Sequence, residues 1–205
     1  MEWRPVSVTL LGPVVVSSSL LPGVRFSPAE RRARLLRAYR VDLVVDLGAN
    51  AGQYAGALRA AGYRGRIVSF EPLSEPYRRL AAASNDDGAW DCRRLALGRR
   101  PGAARVNVSE DTRNSSLLTV GARHLRAVPD SRTVRVESAR AVLDAITLVE
   151  VELSLAAVYD AGPLFHEVVR FLDGHDFAPI AFEGVLDDME TGEMLQADAI
   201  FRRGT

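Results

Sequence analysis

Cysteine occurs once, at Cys92, and lysine not at all: the 26 basic residues are all arginine. A single thiol excludes an internal disulfide and a multi-cysteine zinc site. It fits a reducing cytoplasm, where such a side chain serves as a small buried apolar group. Net charge is missing too, because 26 acids balance the 26 bases. Without a global field the chain lacks the electrostatic footprint of a nucleic-acid or anionic-membrane binder, and a small neutral or mixed-charge ligand is the simpler expectation. The run of Arg93, Arg94, Arg99, Arg100 and Arg105 has no aromatic residue between its members, so it reads as a solvated face and no nucleic-acid partner is expected. His124, His166 and His175 are the only histidines and no two have metal-ligand spacing, so no metal site is expected. Long hydrophobic runs are absent as well. Residues 1–25 are apolar but broken by Pro13, by Ser17, Ser18 and Ser19, and by Pro22, and they fall short of the roughly 20 uninterrupted apolar residues of a membrane span.

What the chain does have is enough apolar residue for one core. At 205 residues and 47% hydrophobic it supports a single domain, expected over residues 26–205 behind an N-terminal arm, residues 1–25. Ser27, Pro28 and Glu30 form an N-cap, first-turn proline and capping-box acid, which predicts a helix leading to a strand over residues 42–47. A helix over 53–61 stopped by Gly62, a strand over 66–71, and a helix over about 75–83 capped by Ser74 continue a βαβα alternation. Strands are expected at 90–95 and 104–108, and a loop at 109–132. The apolar run 146–155, carrying Glu150 and Glu152 on one face, reads as a central strand. A helix over 164–173 with Gly174 at its C′ position follows, then strands at 178–182 and 195–203 joined by a polar turn into an antiparallel hairpin.

The stretch VVDLGANAGQY, residues 44–54, organises the rest, together with IVSFEP, residues 67–72. An apolar strand ends at Asp46, a turn carries Gly48 and Gly52, and Glu71 closes the next strand 25 residues beyond Asp46. Glycines without Cβ atoms let a ligand approach the backbone at a helix N-terminus. A dinucleotide site shows a third glycine in the middle of the pattern, where this chain has Asn50, which disfavours an NAD-linked oxidoreductase. The turn suits a nucleoside with an amino-acid tail, and Glu71 is placed to accept hydrogen bonds from ribose hydroxyls. Asp46 has two roles open to it, contact with the ligand or organisation of the loop amides.

These motifs, with LALG, NSSLL, VEVELSL and TGEMLQADAIFRR further on, resemble the FkbM family of S-adenosylmethionine-dependent O-methyltransferases over residues 26–203. The resemblance implies a Rossmann-like methyltransferase fold, mostly parallel with helices on both faces and an antiparallel C-terminal hairpin. It implies S-adenosylmethionine as cofactor and a small-molecule hydroxyl acceptor, a sugar or glycosylated metabolite. Asp46, Gly48, Asn50 and Gly52 would line the methionine part, Glu71 the ribose, and Ala96 with Leu97 the adenine, with Ala49 and Pro72 also among the cofactor-binding residues. The sequence departs from the family in one place: the strand with the pattern L-K-x-D-x-x-G-x-E, which would be the central fourth strand, is absent. Either Thr133–Val136 (TVRV) substitutes beside the first strand, with Glu137 at its carboxyl end and a short crossover helix behind it, or the sheet lacks a strand. The first is preferred; the second leaves edges to be covered or paired with another chain, a homodimer included. Glu137 and Glu152 are the acids expected near the reacting hydroxyl, with His124 a weaker candidate base and Asn114, Ser115 and Ser116 an acceptor loop or lid. The alternative function is a non-catalytic cofactor-binding or scaffold protein.

Overall fold

The computed structural model describes residues 26–98, 101–108, 130–138, 146–158 and 162–204. The arm 1–25, Arg99 and Arg100, Asn114 to Ser116, His124 and the expected crossover helix at 139–145 lie outside the described residues. The elements are α1 (Pro28–Ala38), β1 (Leu43–Leu47), α2 (Gln53–Ala60), β2 (Arg66–Phe70), α3 (Ser74–Ser84), β3 (Trp90–Arg93), β4 (Ala96–Gly98), β5 (Gly102–Val108), β6 (Asp130–Ser138), β7 (Leu148–Ser154), α4 (Phe165–Asp173), β8 (Phe177–Asp187) and β9 (Met194–Arg203). The class expected from the sequence, a Rossmann-like α/β fold with an antiparallel C-terminal hairpin, is the one observed. Among the described residues no helix is long and apolar enough to cross a membrane.

The first half is built as its sequence dictates. Ser27 and Glu30 form the capping box of α1, each satisfying a backbone donor of the other. β1, β2 and β3 pair in parallel, with Val44 opposite Ile67 and Asp46 opposite Ser69. One face of this sheet carries Val44, Ile67 and Trp90, and it packs Leu36 of α1, Leu58 of α2 and Leu80 of α3 into one core. Cys92 is half-buried against that core. The opposite face is less covered, leaving Leu43 43% and Leu47 57% exposed. Ser74 proves to be the first residue of α3 rather than its cap, which is Leu73.

The C-terminal half is antiparallel, in the order β7-β9-β8. Glu150 sits opposite Ile200 and Glu152 opposite Asp198, so these four share one face, and α1 approaches that face through Arg32. Val149, Val151 and Leu153 alternate to the other face and pack with Val168 and Leu172 of α4. Helices therefore cover both faces, α1 on one and α4 on the other. Gly174 ends α4 with an ordinary right-handed φ of −63°; the left-handed turn comes at Asp176 (φ 63°).

The fourth-strand expectation needs correction. Residues Thr133 to Val136 do form part of a strand, β6, but it pairs in parallel with β4 and antiparallel with β5. β5 takes one edge of β6 from Asp130 to Val136 and β4 the other from Val136 to Ser138, and β1 pairs with neither edge. Val134 and Val106 bury against Leu73, which draws this small sheet onto the loop after Glu71 instead of into the central slot. Among the described residues β1 pairs only with β2, and β7 only with β9.

Candidate functional site

The turn after β1 is held by a nearly closed set of backbone bonds. The amides of Gly48 and Ala49 both donate to the Phe70 carbonyl, at 2.9 and 3.0 Å, and Gly52 donates to Ala49. Asn50 donates its amide to Glu71 Oε2 at 2.9 Å, and Ala51 donates to Asn50 Oδ1 at 2.7 Å. Asn50 takes a left-handed φ of 49°, a conformation its short polar side chain tolerates. Every amide from Gly48 to Gly52 is thus spent inside the protein, and the donors left for a ligand are those of the opening turn of α2.

The two glycines do different work. Among the described residues a Cβ at Gly48 (φ 71°) would meet nothing within 4 Å, whereas one at Gly52 (φ 87°) would lie 3.0 Å from the Trp90 ring and 3.1 Å from Leu80. Open space for a ligand is therefore at Gly48. Gly52 also seats α2 on Trp90, so its missing Cβ is required by packing whatever approaches the turn.

The loop-organising role left open for Asp46 is filled by Glu71. Glu71, 5% exposed, is the residue that organises loop amides: Oε2 accepts from Asn50 and Oε1 from Leu73 at 2.7 Å. Each oxygen retains a further lone pair. Burial raises its pKa, opposed by the amides of Leu73 and Asn50. Asp46, 8% exposed, accepts among the described residues only the Ser69 hydroxyl, on Oδ2 at 3.0 Å. Burial pushes its carboxyl up to about 6, opposed by the Ser69 hydrogen bond and reinforced by the charge of Glu71. Ala49, Asn50 and Gly52 are buried beside these acids, and Pro72 is half-buried after Glu71. Ala96 and Leu97 lie half-buried on β4.

The predicted catalytic acids are placed on separate sheets. Glu137 lies in β6 opposite Leu97, partly exposed and paired with Arg135. Glu152 lies in β7, where Gln196 Nε2 donates to its Oε1 at 2.7 Å. Burial raises the Glu152 pKa, Asp198 adds to this and Gln196 opposes it. Tyr54, the last residue of the glycine motif, was not singled out from the sequence. Its hydroxyl donates to Glu150 Oε2 at 2.7 Å, and Arg32 pairs with both Glu150 and Asp198. This cluster ties the helix after the glycine turn to β7. Among the described residues no group of His, Cys, Asp and Glu could hold a metal ion. A cavity of about 450 Å³, lined by Val149, Val151, Val168 and His175 among others, lies on the α4 face of the C-terminal sheet, opposite Glu150 and Glu152 and apart from the glycine turn.

No family model matches this chain, and no curated protein does. Solved structures with a similar course of chain include the 1,6-didemethyltoxoflavin-N1-methyltransferase of Burkholderia thailandensis with bound S-adenosylhomocysteine, at 14% identity over 87% of this chain and 79% of that one, TM-score 0.46. An rRNA methylase from Streptococcus thermophilus matches at 12% identity over 89% and 100%, TM-score 0.47. A protein of the NADB-Rossmann superfamily from Streptococcus agalactiae matches at 14% over 88% and 70%, TM-score 0.44. Likeness at this depth does not assign an activity; the side chains at the turn have to.

Proposed function

We propose that the chain is an S-adenosylmethionine-dependent O-methyltransferase of the FkbM type, acting on a hydroxyl of a small molecule such as a sugar or glycosylated metabolite. The observation that carries this reading is the hydrogen-bond balance at the turn. Two buried carboxylates, Asp46 and Glu71, flank open space at Gly48 while the turn's own amides are spent. Such a place favours a ligand rich in hydroxyls and positive charge and disfavours a pyrophosphate. S-adenosylmethionine offers a sulfonium, an ammonium and two ribose hydroxyls, with one carboxylate for the opening turn of α2. In this reading Asp46, Gly48, Ala49, Asn50 and Gly52 surround the methionine part, Glu71 and Pro72 the ribose, and Ala96 and Leu97 the adenine.

When bound, the cofactor supplies an electrophilic methyl group for in-line displacement by the acceptor oxygen. The protein's part is to hold that oxygen in line and to take its proton. Glu152, with its raised pKa and Gln196 fixing one oxygen, is the proton acceptor in this proposal, and Glu137, opposite Leu97, stands at the adenine side. A second reading, a cofactor-binding protein without transferase activity, is favoured by one observation: β1 has a single paired edge among the described residues. Calorimetry with S-adenosylmethionine and with NAD tests the cofactor, and binding of NAD alone would overturn the proposal. Methyl transfer to a panel of glycosides then separates the two readings, with label incorporation supporting the enzyme.

A further inference from the structure

Behind Asp46 runs a buried line of hydrogen bonds that no sequence motif announces. Trp90 Nε1 donates to Ser69 Oγ at 2.9 Å, and Ser69 Oγ lies 3.0 Å from Asp46 Oδ2. The direction of this line is set by chemistry. An indole nitrogen can only donate, so the Ser69 oxygen must accept from Trp90, and its single proton is left for Asp46. Ser69 is completely buried, so exchange with bulk water does not compete. Oδ2 is thereby committed inward, while Oδ1 accepts no hydrogen bond among the described residues, and Gly48, two residues on, leaves open space.

We propose that Ser69, oriented by Trp90, is a positioning residue that fixes Asp46 with Oδ2 tied to the core and Oδ1 left to accept a cationic group of the ligand. This rests on the cofactor reading above, in which that group is the ammonium of the methionine tail. Among the described residues the charged or titratable neighbours of Asp46 are Glu71 at the end of β2, Tyr54 on α2 and Cys92 on β3; none of them supplies a positive charge. The Ser69 hydroxyl is, among the described residues, the one neighbour that favours the ionised carboxylate. Ligand binding should therefore strengthen as pH rises to about 6 and level off above it, because only ionised Asp46 attracts a cation.

The test is the affinity of the full-length chain for S-adenosylhomocysteine between pH 5 and 8, compared with Ser69→Ala. Losing the hydroxyl should move the midpoint up by about one pH unit, leaving binding about fivefold weaker at pH 6 and within about twofold at pH 8. An equal loss at every pH, or no change, would overturn the proposal. Should Ser69→Ala not fold, Trp90→Phe removes the donor that orients Ser69 and should move the midpoint the same way by less; an unmoved midpoint overturns it equally. A parallel ¹³C titration of the Asp46 carboxyl in the free protein separates the two readings. If no form binds S-adenosylhomocysteine yet the carboxyl midpoint rises in the variant, the cofactor reading fails and the positioning role of Ser69 stands. If that midpoint stays fixed, the positioning role fails whatever the ligand proves to be.

Discussion

Acids sit at both ends of this molecule, buried at the glycine turn and half-buried in the C-terminal half, and they are treated in opposite ways. In the C-terminal half Glu150 and Asp198 share Arg32, and Glu183 is paired with Arg31. In the N-terminal half Asp46 and Glu71 have, among the described residues, hydroxyl and amide donors only, from Ser69, Asn50 and Leu73. A carboxylate matched by a guanidinium is part of the scaffold, holding α1 to β7 and β9. A pair of carboxylates buried without one is unfavourable for the free protein and favourable for a ligand that brings the missing charge and donors. In the proposed reading the contrast marks the binding site more sharply than the glycine spacing does, because the absent Cβ of Gly52 is also required by Trp90.

The contrast is open to attack at each end. The largest effect is expected at Arg32. Arg32→Ala leaves Glu150 and Asp198 without their cation in a largely buried place, and should cost about 2–4 kcal/mol of folding stability in urea unfolding at pH 7. A loss below about 1 kcal/mol would place these acids in the same class as Asp46. Next is Glu71→Ala, which removes the acceptor of two loop amides and of the proposed ribose bonds. It should weaken binding of S-adenosylhomocysteine by about 1.5–3 kcal/mol, read by calorimetry.

Asp46→Asn should act in the opposite direction on stability. The folded value near 6 lies above the usual 3.8, so the folded state holds the proton more tightly than the unfolded chain. The resulting penalty is absent below about pH 4, grows up to about pH 6 and is constant above that. An asparagine keeps an acceptor for Ser69 without the charge, so at pH 7 the variant should be more stable than the parent by about 1–3 kcal/mol while binding the ligand worse. Equal stability of the two at pH 5 and pH 7 would mean that Asp46 is not strained by its burial. Smallest is Arg66→Ala: its ion pair with Asp91 is about half exposed on both sides, and the change should stay within about 0.5 kcal/mol. A larger loss would show that pairing outside the core also holds the fold.

What could be read from the sequence follows the range of the interactions involved. The capping box of α1, the strand–turn–helix around Gly48, Glu71 at the end of β2 and the C-terminal hairpin depend on neighbours within a few residues or on one βαβ unit, and these came through with boundaries shifted by a few positions at most, save β8, which runs five residues further than expected. The partner of Thr133 to Val136 did not. A β-branched run shows that a strand is there but not which edge it will meet, and β6 met β4 and β5 because Val134 had Leu73 and Val106 to bury against. The role of Asp46 was open for the same reason, since its hydrogen-bond partner, Ser69, lies on the neighbouring strand. One signal was available: a lone serine inside the apolar run IVSF, in register with the only acid of β1. The Arg32, Tyr54 and Glu150 cluster joins residues up to 118 apart in the chain, and nothing local marks it.

The central claim is that the unmatched carboxylates at the turn bind a cationic, hydroxyl-bearing cofactor. Its most direct test is calorimetric titration of the full-length chain and of Asp46→Asn with S-adenosylhomocysteine at pH 7.5. The account predicts binding by the parent chain and at least about tenfold weaker binding by the variant, of the order expected when a charged acceptor is lost. Equal affinities in the two proteins, or no binding by the parent chain, would contradict it.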